Sequence, residues 1–285
     1  PPGHYVKVPL DGEHGFVFTQ YWDFNFCEAA NPPTPDEAQE ELARLFQQAV
    51  KRTLVADVEI GSYLSGGVDS GSIAAVAARE LPYLKSFTCG FDLNSVSGME
   101  IAFDEREKSE YLSYLFKTEH YESVLKSGDM ERVMPLLAWH LEEPRLGQSY
   151  PNFYAAKLAS RFVKVVLSGC GGDELFAGYP WRYYRVTDCG SFGEYIDRYY
   201  SYWQRLIPNS QIRPLLAPIA SQVKHVWTRD IFCNVFGQHD NAPDSHAQSV
   251  NLSLYFEANT FLSGLLLVED KFSMAHGVGV RLPFL

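Results

Sequence analysis

A doubly wound α/β fold with a mainly parallel sheet and a helical C-terminal part is what the sequence predicts, on three observations. Short apolar, β-branched runs alternate with helical patterns between residues 58 and 167. Two of these runs pass directly into glycine-rich turns, Ser65-Gly-Gly-Val-Asp-Ser70 and Ser168-Gly-Cys-Gly-Gly-Asp-Glu174. Beyond Tyr179 the β signal fades and aromatic residues recur at helical spacing.

The elements follow in order. Val6 to Leu10 and Gly15 to Tyr21, on either side of the turn Asp11-Gly12, predict a β-hairpin. Asn31-Pro-Pro-Thr-Pro35 breaks the chain, and Thr34 as N-cap with Pro35 at the first helical position starts a helix behind it. A boundary here makes residues 1–35 a linker with a hairpin and residues 36–285 the main domain. Leu42, Leu45, Phe46, Ala49 and Val50 share one helical face, expected against a core. Then come strand 58–64, helix 70–80, strand 84–91, helix 104–117 and strand 120–125. Asp104 with Glu107 fits a capping box for the second of these helices. Helices at 129–141, ended by Pro144, and at 150–161 precede Phe162-Val-Lys-Val-Val-Leu167, whose apolar character marks a central parallel strand. In such a sheet the ligand crevice lies beyond the carboxyl ends of the strands, which singles out loops 65–70, 90–103 and 168–174. Farther on, Ile196, Tyr199, Tyr200, Trp203 and Ile207 form a core face, with Arg182, Arg185, Arg198 and Arg205 expected to snorkel at its edge. Residues 237–249 read as a polar loop.

Composition narrows the partners. With 285 residues, 46% hydrophobic and 21% charged, the chain is globular and long enough for one large or two small domains. Lys and Arg number 24 against 35 Asp and Glu, a net charge of −11, so nucleic acid is not expected as a partner. The longest nearly apolar stretch, Phe261 to Val268, is far below the roughly 20 residues that span a bilayer, and no membrane partner is expected. Cys27, Cys89, Cys170, Cys189 and Cys233 are scattered, without a CxxC pair, which fits neither a disulfide framework nor a zinc site and predicts a reducing, cytoplasmic setting. The chain begins at Pro1 and ends at Leu285 on a strand-like run, and reads as a piece of a longer protein.

The two glycine turns carry the chemistry. In the first, paired glycines let consecutive N–H groups turn inward, the following helix adds its positive dipole end, and Ser65 and Ser70 offer hydroxyl donors. No lysine follows, so this is not the loop that clamps a γ-phosphate. A purely structural alternative is a tight strand-to-helix turn with Asp69 as N-cap. The second loop repeats the design, and Asp69 and Asp173 supply one carboxylate each, the number with which Mg²⁺ is commonly held alongside substrate phosphates.

Leu64 with Ser65-Gly-Gly-Val-Asp-Ser70 resembles the SGGxDS pyrophosphate loop of the N-type ATP pyrophosphatases, and Val165-Val-Leu-Ser-Gly-Cys-Gly-Gly-Asp-Glu-Leu-Phe-Ala-Gly-Tyr179 resembles the second signature of the asparagine synthetase family. Glu269-Asp-Lys-Phe-Ser-Met-Ala-His with Val280-Arg-Leu-Pro-Phe-Leu285 is similar to a third segment of that family, and the three motifs stand in its order over residues 36–285. The first 25 residues resemble the linker leaving the family's N-terminal glutaminase domain. The resemblance implies an adenine-nucleotide α-hydrolase type of sheet and a two-step synthesis. In it an aspartate carboxylate attacks ATP to give β-aspartyl-AMP and pyrophosphate, and ammonia, drawn from glutamine in the full-length enzyme, displaces AMP to give asparagine. It also implies ATP and pyrophosphate contacts at Leu64, Ser65, Gly66, Gly67, Val68, Asp69, Ser70, Cys89, Ser168 and Gly169, with Mg²⁺ on Asp69 and Asp173. Lys271 is expected to help neutralise the leaving group. Position 170, acidic in many members, is Cys170 here, and a neutral thiol cannot replace a carboxylate base. A homodimer is compatible with such a domain. Two alternatives stay open: a paralogous adenylating ligase, β-lactam synthetase-like or peptide-cyclising, acting on another carboxylate, and a non-catalytic nucleotide-binding domain.

Overall fold

Five parallel strands form the sheet that the alternation predicts. A computed structural model describes residues 2–10, 15–95, 103–143, 149–204, 207–237, 243 and 245–285. The turn Asp11-Gly12, Pro144, Arg205 and residues 238–242 and 244 of the predicted loop 237–249 lie outside the described residues, and the end of that loop is instead the start of a helix, His246–Glu257. The chain forms two compact units, one of residues Pro33–Gly178 with Phe261–Leu285, the other of residues Tyr179–Thr260 with the segment up to Pro32.

In the first unit, helix α1 (Pro35–Thr53) begins as its sequence dictates. Thr34 and Glu37 cap each other reciprocally, with Thr34 N donating to Glu37 Oε2 at 2.9 Å and Glu37 N to Thr34 Oγ1 at 3.4 Å. Val50 is buried and Phe46 partly so, but Leu42 and Leu45 remain exposed, because the sheet-facing contact involves only the later turns of this 19-residue helix. Strand β3 (Ile60–Tyr63), helix α2 (Val68–Glu80), strand β4 (Lys85–Phe91), helix α3 (Arg106–Phe116) and strand β5 (Glu119–Leu125) follow. After α4 (Asp129–Leu141) and α5 (Ser149–Ala159) comes β6 (Val165–Leu167), and helix α6 (Ser263–Met274) leads into β7 (Gly279–Arg281). The strand order is β5-β4-β3-β6-β7, so the chain builds outward in opposite directions from β3 and β6. The crevice at that switch point is flanked by the two glycine loops.

Side chains on successive residues of β6 leave by opposite faces. Leu167 packs with Val50, Ile73 and Ala77 from α1 and α2, while Val166 packs with Phe87, Ala159 and Val278. Both faces are therefore covered, which is why the strand reads as continuously apolar. The capping box expected of Asp104 and Glu107 does not form: Glu105 occupies the cap without a side-chain bond, and Asp104 instead binds the Arg106 guanidinium at 2.6 Å. Asp104 also accepts the Arg106 backbone N–H at 3.3 Å, so the guanidinium and backbone of this neighbour take the carboxylate in place of the Glu107 N–H.

The second unit holds the paired strands β1 (His4–Lys7) and β2 (Val17–Gln20), antiparallel as the hairpin reading requires. Its core gathers Ile196 and Tyr199 with Tyr195, Phe232, Phe236 and Phe256, so the aromatic stripe is a packing face. Arg182 does not snorkel as expected. It is buried, stacked on Tyr179 with 3.7 Å to the ring centroid, and paired at 2.8 Å with the fully buried carboxylate of Glu257.

Candidate active site

Loop one leaves β3 at Leu64, whose N–H bonds the Phe87 carbonyl at 3.0 Å and whose carbonyl accepts from Thr88 Oγ1. The chain then turns through Gly66 at φ +80°, where any side chain would also meet Lys108 Cβ at 2.5 Å. Ser65 and Ser70 close the loop: Ser65 N donates to Ser70 Oγ at 3.1 Å, and the two hydroxyls lie 3.0 Å apart. Helix α2 starts directly behind, capped by Gly67. Asp69 is therefore inside the first turn and not at the cap that the structural alternative assigned to it, so its carboxylate is free to reach outward.

It reaches the second loop. A Cβ on Gly172 would lie 2.2 Å from Asp69 Oδ2, which leaves room for no residue but glycine, and the Asp69 carboxylate accepts the backbone N–H of Asp173. Loop two is braced from below by buried Glu174, which accepts from Gly171 N at 3.1 Å, and by Ser168, whose N–H bonds Arg281 O on β7 at 3.0 Å while its Oγ accepts from Cys170 N at 3.2 Å.

Together these loops form one side of a cavity of about 670 Å³, on which Ser65, Gly67, Val68, Asp69, Ser70, Ser168, Gly169, Cys170 and Asp173 all open. The facing wall comes from Asn152, Ala155 and Ala156 of α5 and from Leu265, Val268, Glu269 and Phe272 of α6. Leu64 and Gly66 sit behind the loop, and Cys89 lies within β4 with its thiol pushed up to about 12 by burial; none of the three lines the cavity. Lys271 is also placed differently from the expectation. Its ammonium donates to the Leu141 carbonyl at 2.6 Å and the Glu142 carboxylate at 3.0 Å, where the end of α4 supplies acceptors that satisfy it.

The electrostatics are those of crowded carboxylates. Burial, then the charges of Asp173 and Glu174, push the Asp69 carboxyl up to about 6. Glu105, partly buried and hydrogen-bonded to Ser65, is also raised by burial. Among the described lining residues there is no Lys, Arg or His. Sequence reasoning passed over Glu269. Burial holds its carboxyl above the usual range, and it accepts hydrogen bonds from the Ser168 and Cys170 side chains. The Cys170 thiol is raised by burial and by this carboxylate, so it stays protonated. The signal was present in the spacing: Leu265, Val268, Glu269 and Phe272 fall at i, i+3, i+4 and i+7, one carboxylate on an otherwise apolar helical face.

A parallel sheet with two glycine loops converging at its switch point, and carboxylates set between them, defines an α/β domain whose crevice lies beyond the carboxyl ends of its strands. Residues 41–285 match the family model for asparagine synthase, and the chain belongs to that family. A candidate glutamine-hydrolysing asparagine synthetase of Mycobacterium tuberculosis is 30% identical, over 94% of this chain and 44% of that protein. Glutamine-hydrolysing asparagine synthetase 1 of Bacillus subtilis is 27% identical, over 100% of this chain and 47% of that protein. The chain thus spans about half the length of the curated relatives it matches. Among solved structures, the NH3-dependent NAD synthetase of Campylobacter jejuni in complex with nitrate covers 80% of this chain and 95% of its own, at 15% identity and a TM-score of 0.33. Among the described residues, no helix is long and apolar enough to cross a membrane.

Proposed function

We propose that the protein makes an amide in two steps, adenylating a carboxylate with ATP and then transferring the acyl group to ammonia. Aspartate is the acid and asparagine the product, as the names of the relatives suggest. The observation that carries this reading is the contact between the loops, with Asp69 of the first accepting the N–H of Asp173 in the second beside a cavity large enough for a nucleotide. Loop one, with the Ser65 and Ser70 hydroxyls and the dipole of α2, receives the β- and γ-phosphates. Ser168 and Gly169, on the opposite lip, bound the α-phosphate and the incoming acid.

Asp69 and Asp173 suit a divalent cation: two neighbouring carboxylates, one of them raised by burial and then by the other's charge, are a donor set that a cation relieves. Among the described residues no three His, Cys, Asp or Glu side chains cluster so as to hold a metal unaided, in keeping with Mg²⁺ that takes its remaining ligands from phosphate and water. When bound, Mg²⁺ supplies charge neutralisation for the pyrophosphate leaving group. The residues themselves hold the triphosphate extended across the switch point, so that the acid meets its α-phosphorus in line. Ammonia comes from solution or from an accompanying glutaminase domain, in line with the glutamine-hydrolysing relatives.

The test is exchange of labelled pyrophosphate into ATP with a panel of amino acids. Aspartate-dependent exchange is expected. Exchange promoted only by another acid would make the protein a paralogous adenylating ligase, and none with any acid would leave a nucleotide-binding domain without this activity.

A further inference from the structure

We infer that Glu269 is the proton acceptor of the amide-forming step, taking the proton that the nitrogen nucleophile sheds as it displaces AMP. The inference rests on the adenylation reading above and adds to it a residue and a role. The cavity's carboxylates fall into two groups. Asp69 senses Asp173 and Glu174, and that group belongs to the phosphate side. Glu269 comes from the other wall, on α6, where Leu265, Val268 and Phe272 surround it on the same helical face.

Its neighbours are neutral. Ser168 and Cys170 donate hydrogen bonds to it, and Tyr63 of β3 lies close enough for its hydroxyl to be held protonated by burial and by the Glu269 charge. Among the described residues no Lys, Arg or His forms an ion pair with Glu269, so a structural salt bridge does not account for a carboxylate in this position. A carboxylate that opens on the cavity, is held by neutral donors and has its proton affinity raised by burial has the properties of a general base. Cys170 cannot serve in its place, because the protonated thiol is a donor in this arrangement.

The step balances as follows. The nitrogen lone pair forms the C–N bond to the acyl carbon, the bond from that carbon to the AMP oxygen breaks, and AMP leaves with the electron pair. One N–H proton passes to a Glu269 carboxylate oxygen and from there to solvent.

The experiment compares Glu269→Gln and Glu269→Asp with the parent protein in two assays: aspartate-dependent pyrophosphate exchange, and amide formation from ammonium chloride across pH 6 to 9. For Glu269→Gln, amide formation is expected to fall by about a hundredfold or more, in the range of a lost general base, against less than tenfold for exchange. With rates expressed per free ammonia, whose own protonation otherwise gives every variant an acid limb, the remaining acid limb of the amide pH profile should vanish in Glu269→Gln, and Glu269→Asp should recover at least part of the loss. Tyr63 and Cys170 face Glu269, and Asp69, Asp173 and Glu105 share the cavity, so the limb is assigned to Glu269 by its disappearance in Glu269→Gln. Amide formation within tenfold of the parent, or a parallel loss in both assays that Glu269→Asp does not relieve, would overturn the role of Glu269 alone. Absence of exchange in the parent with every acid would overturn the adenylation reading and this role with it.

Discussion

Asp69→Asn should make the protein more stable while removing its response to Mg²⁺ and ATP. The Asp69 carboxyl is displaced from its ordinary 3.8 up to about 6, mainly by burial and secondly by Asp173 and Glu174. A raised carboxyl means that the fold favours the protonated form. Its favourable contribution is complete below pH 3.8 and is lost as pH rises through 6, above which the ionised group is a net cost. At 1.36 kcal/mol per pH unit the displacement corresponds to a ceiling of about 3 kcal/mol, and partial exposure reduces this to on the order of 1–2 kcal/mol. Asn removes the charge yet keeps an oxygen to accept the Asp173 N–H. In EDTA at pH 7.5 the variant should melt roughly 2–8 °C above the parent, and the gap should close as pH falls toward 4. Added Mg²⁺ and ATP should raise the melting temperature of the parent, because ligand binds only the folded state, and leave the variant nearly unmoved. A variant that is no more stable at pH 7.5, or a gap indifferent to pH, would refute the claim that the two loops hold repelling carboxylates.

Three further outcomes are expected. Gly172→Ala would set a Cβ 2.2 Å from Asp69 Oδ2, so the carboxylate must swing away; stability should drop by about 1–3 kcal/mol, and calorimetry should show Mg-ATP affinity at least tenfold weaker, whereas unchanged affinity would detach Asp69 from the metal. Cys170→Ala should leave pyrophosphate release within about tenfold, or 1.4 kcal/mol of barrier, since the thiol is a hydrogen-bond donor and no more, and a thousandfold loss would reveal chemistry at sulfur. Arg182→Met leaves the buried Glu257 carboxylate without the guanidinium now 2.8 Å away; urea unfolding should register a loss of about 3–5 kcal/mol, and a loss under 1 kcal/mol would mean that the pair is dispensable.

The parts of this protein that were readable from its sequence are those with local causes. Thr34, Pro35 and Glu37 start a helix by bonds within one turn, and the two glycine loops announce strand-to-helix turns by their own backbone needs. The pairing of β3 with β6, by contrast, joins segments about a hundred residues apart, and nothing in either strand names the other. The nearness of Asp69 to Asp173 was inferred from the shared design of their loops and not from any local rule. Readings failed where a distant partner decided the outcome. Arg182 is buried because Glu257, 75 positions away, meets it; Leu42 and Leu45 are exposed because the packing partners of α1 serve only its later turns.

Glu269 tests how far local pattern can carry functional reasoning. Its motif drew notice for Lys271, the residue whose charge suggested phosphate, yet Lys271 is engaged at the end of α4 and Glu269 faces the cavity. The helical period separates the two: residue 269 shares its face with 265, 268 and 272, whereas 271 is turned about 200° from 269 at the 100° per residue of an α-helix. A charged residue on an apolar helical face must find donors inside the protein or remain costly to bury. Here it finds Ser168 and Cys170, both from the second glycine loop. The physical oddity of the pattern, more than the kind of charge it carries, marked the residue that belongs to the site.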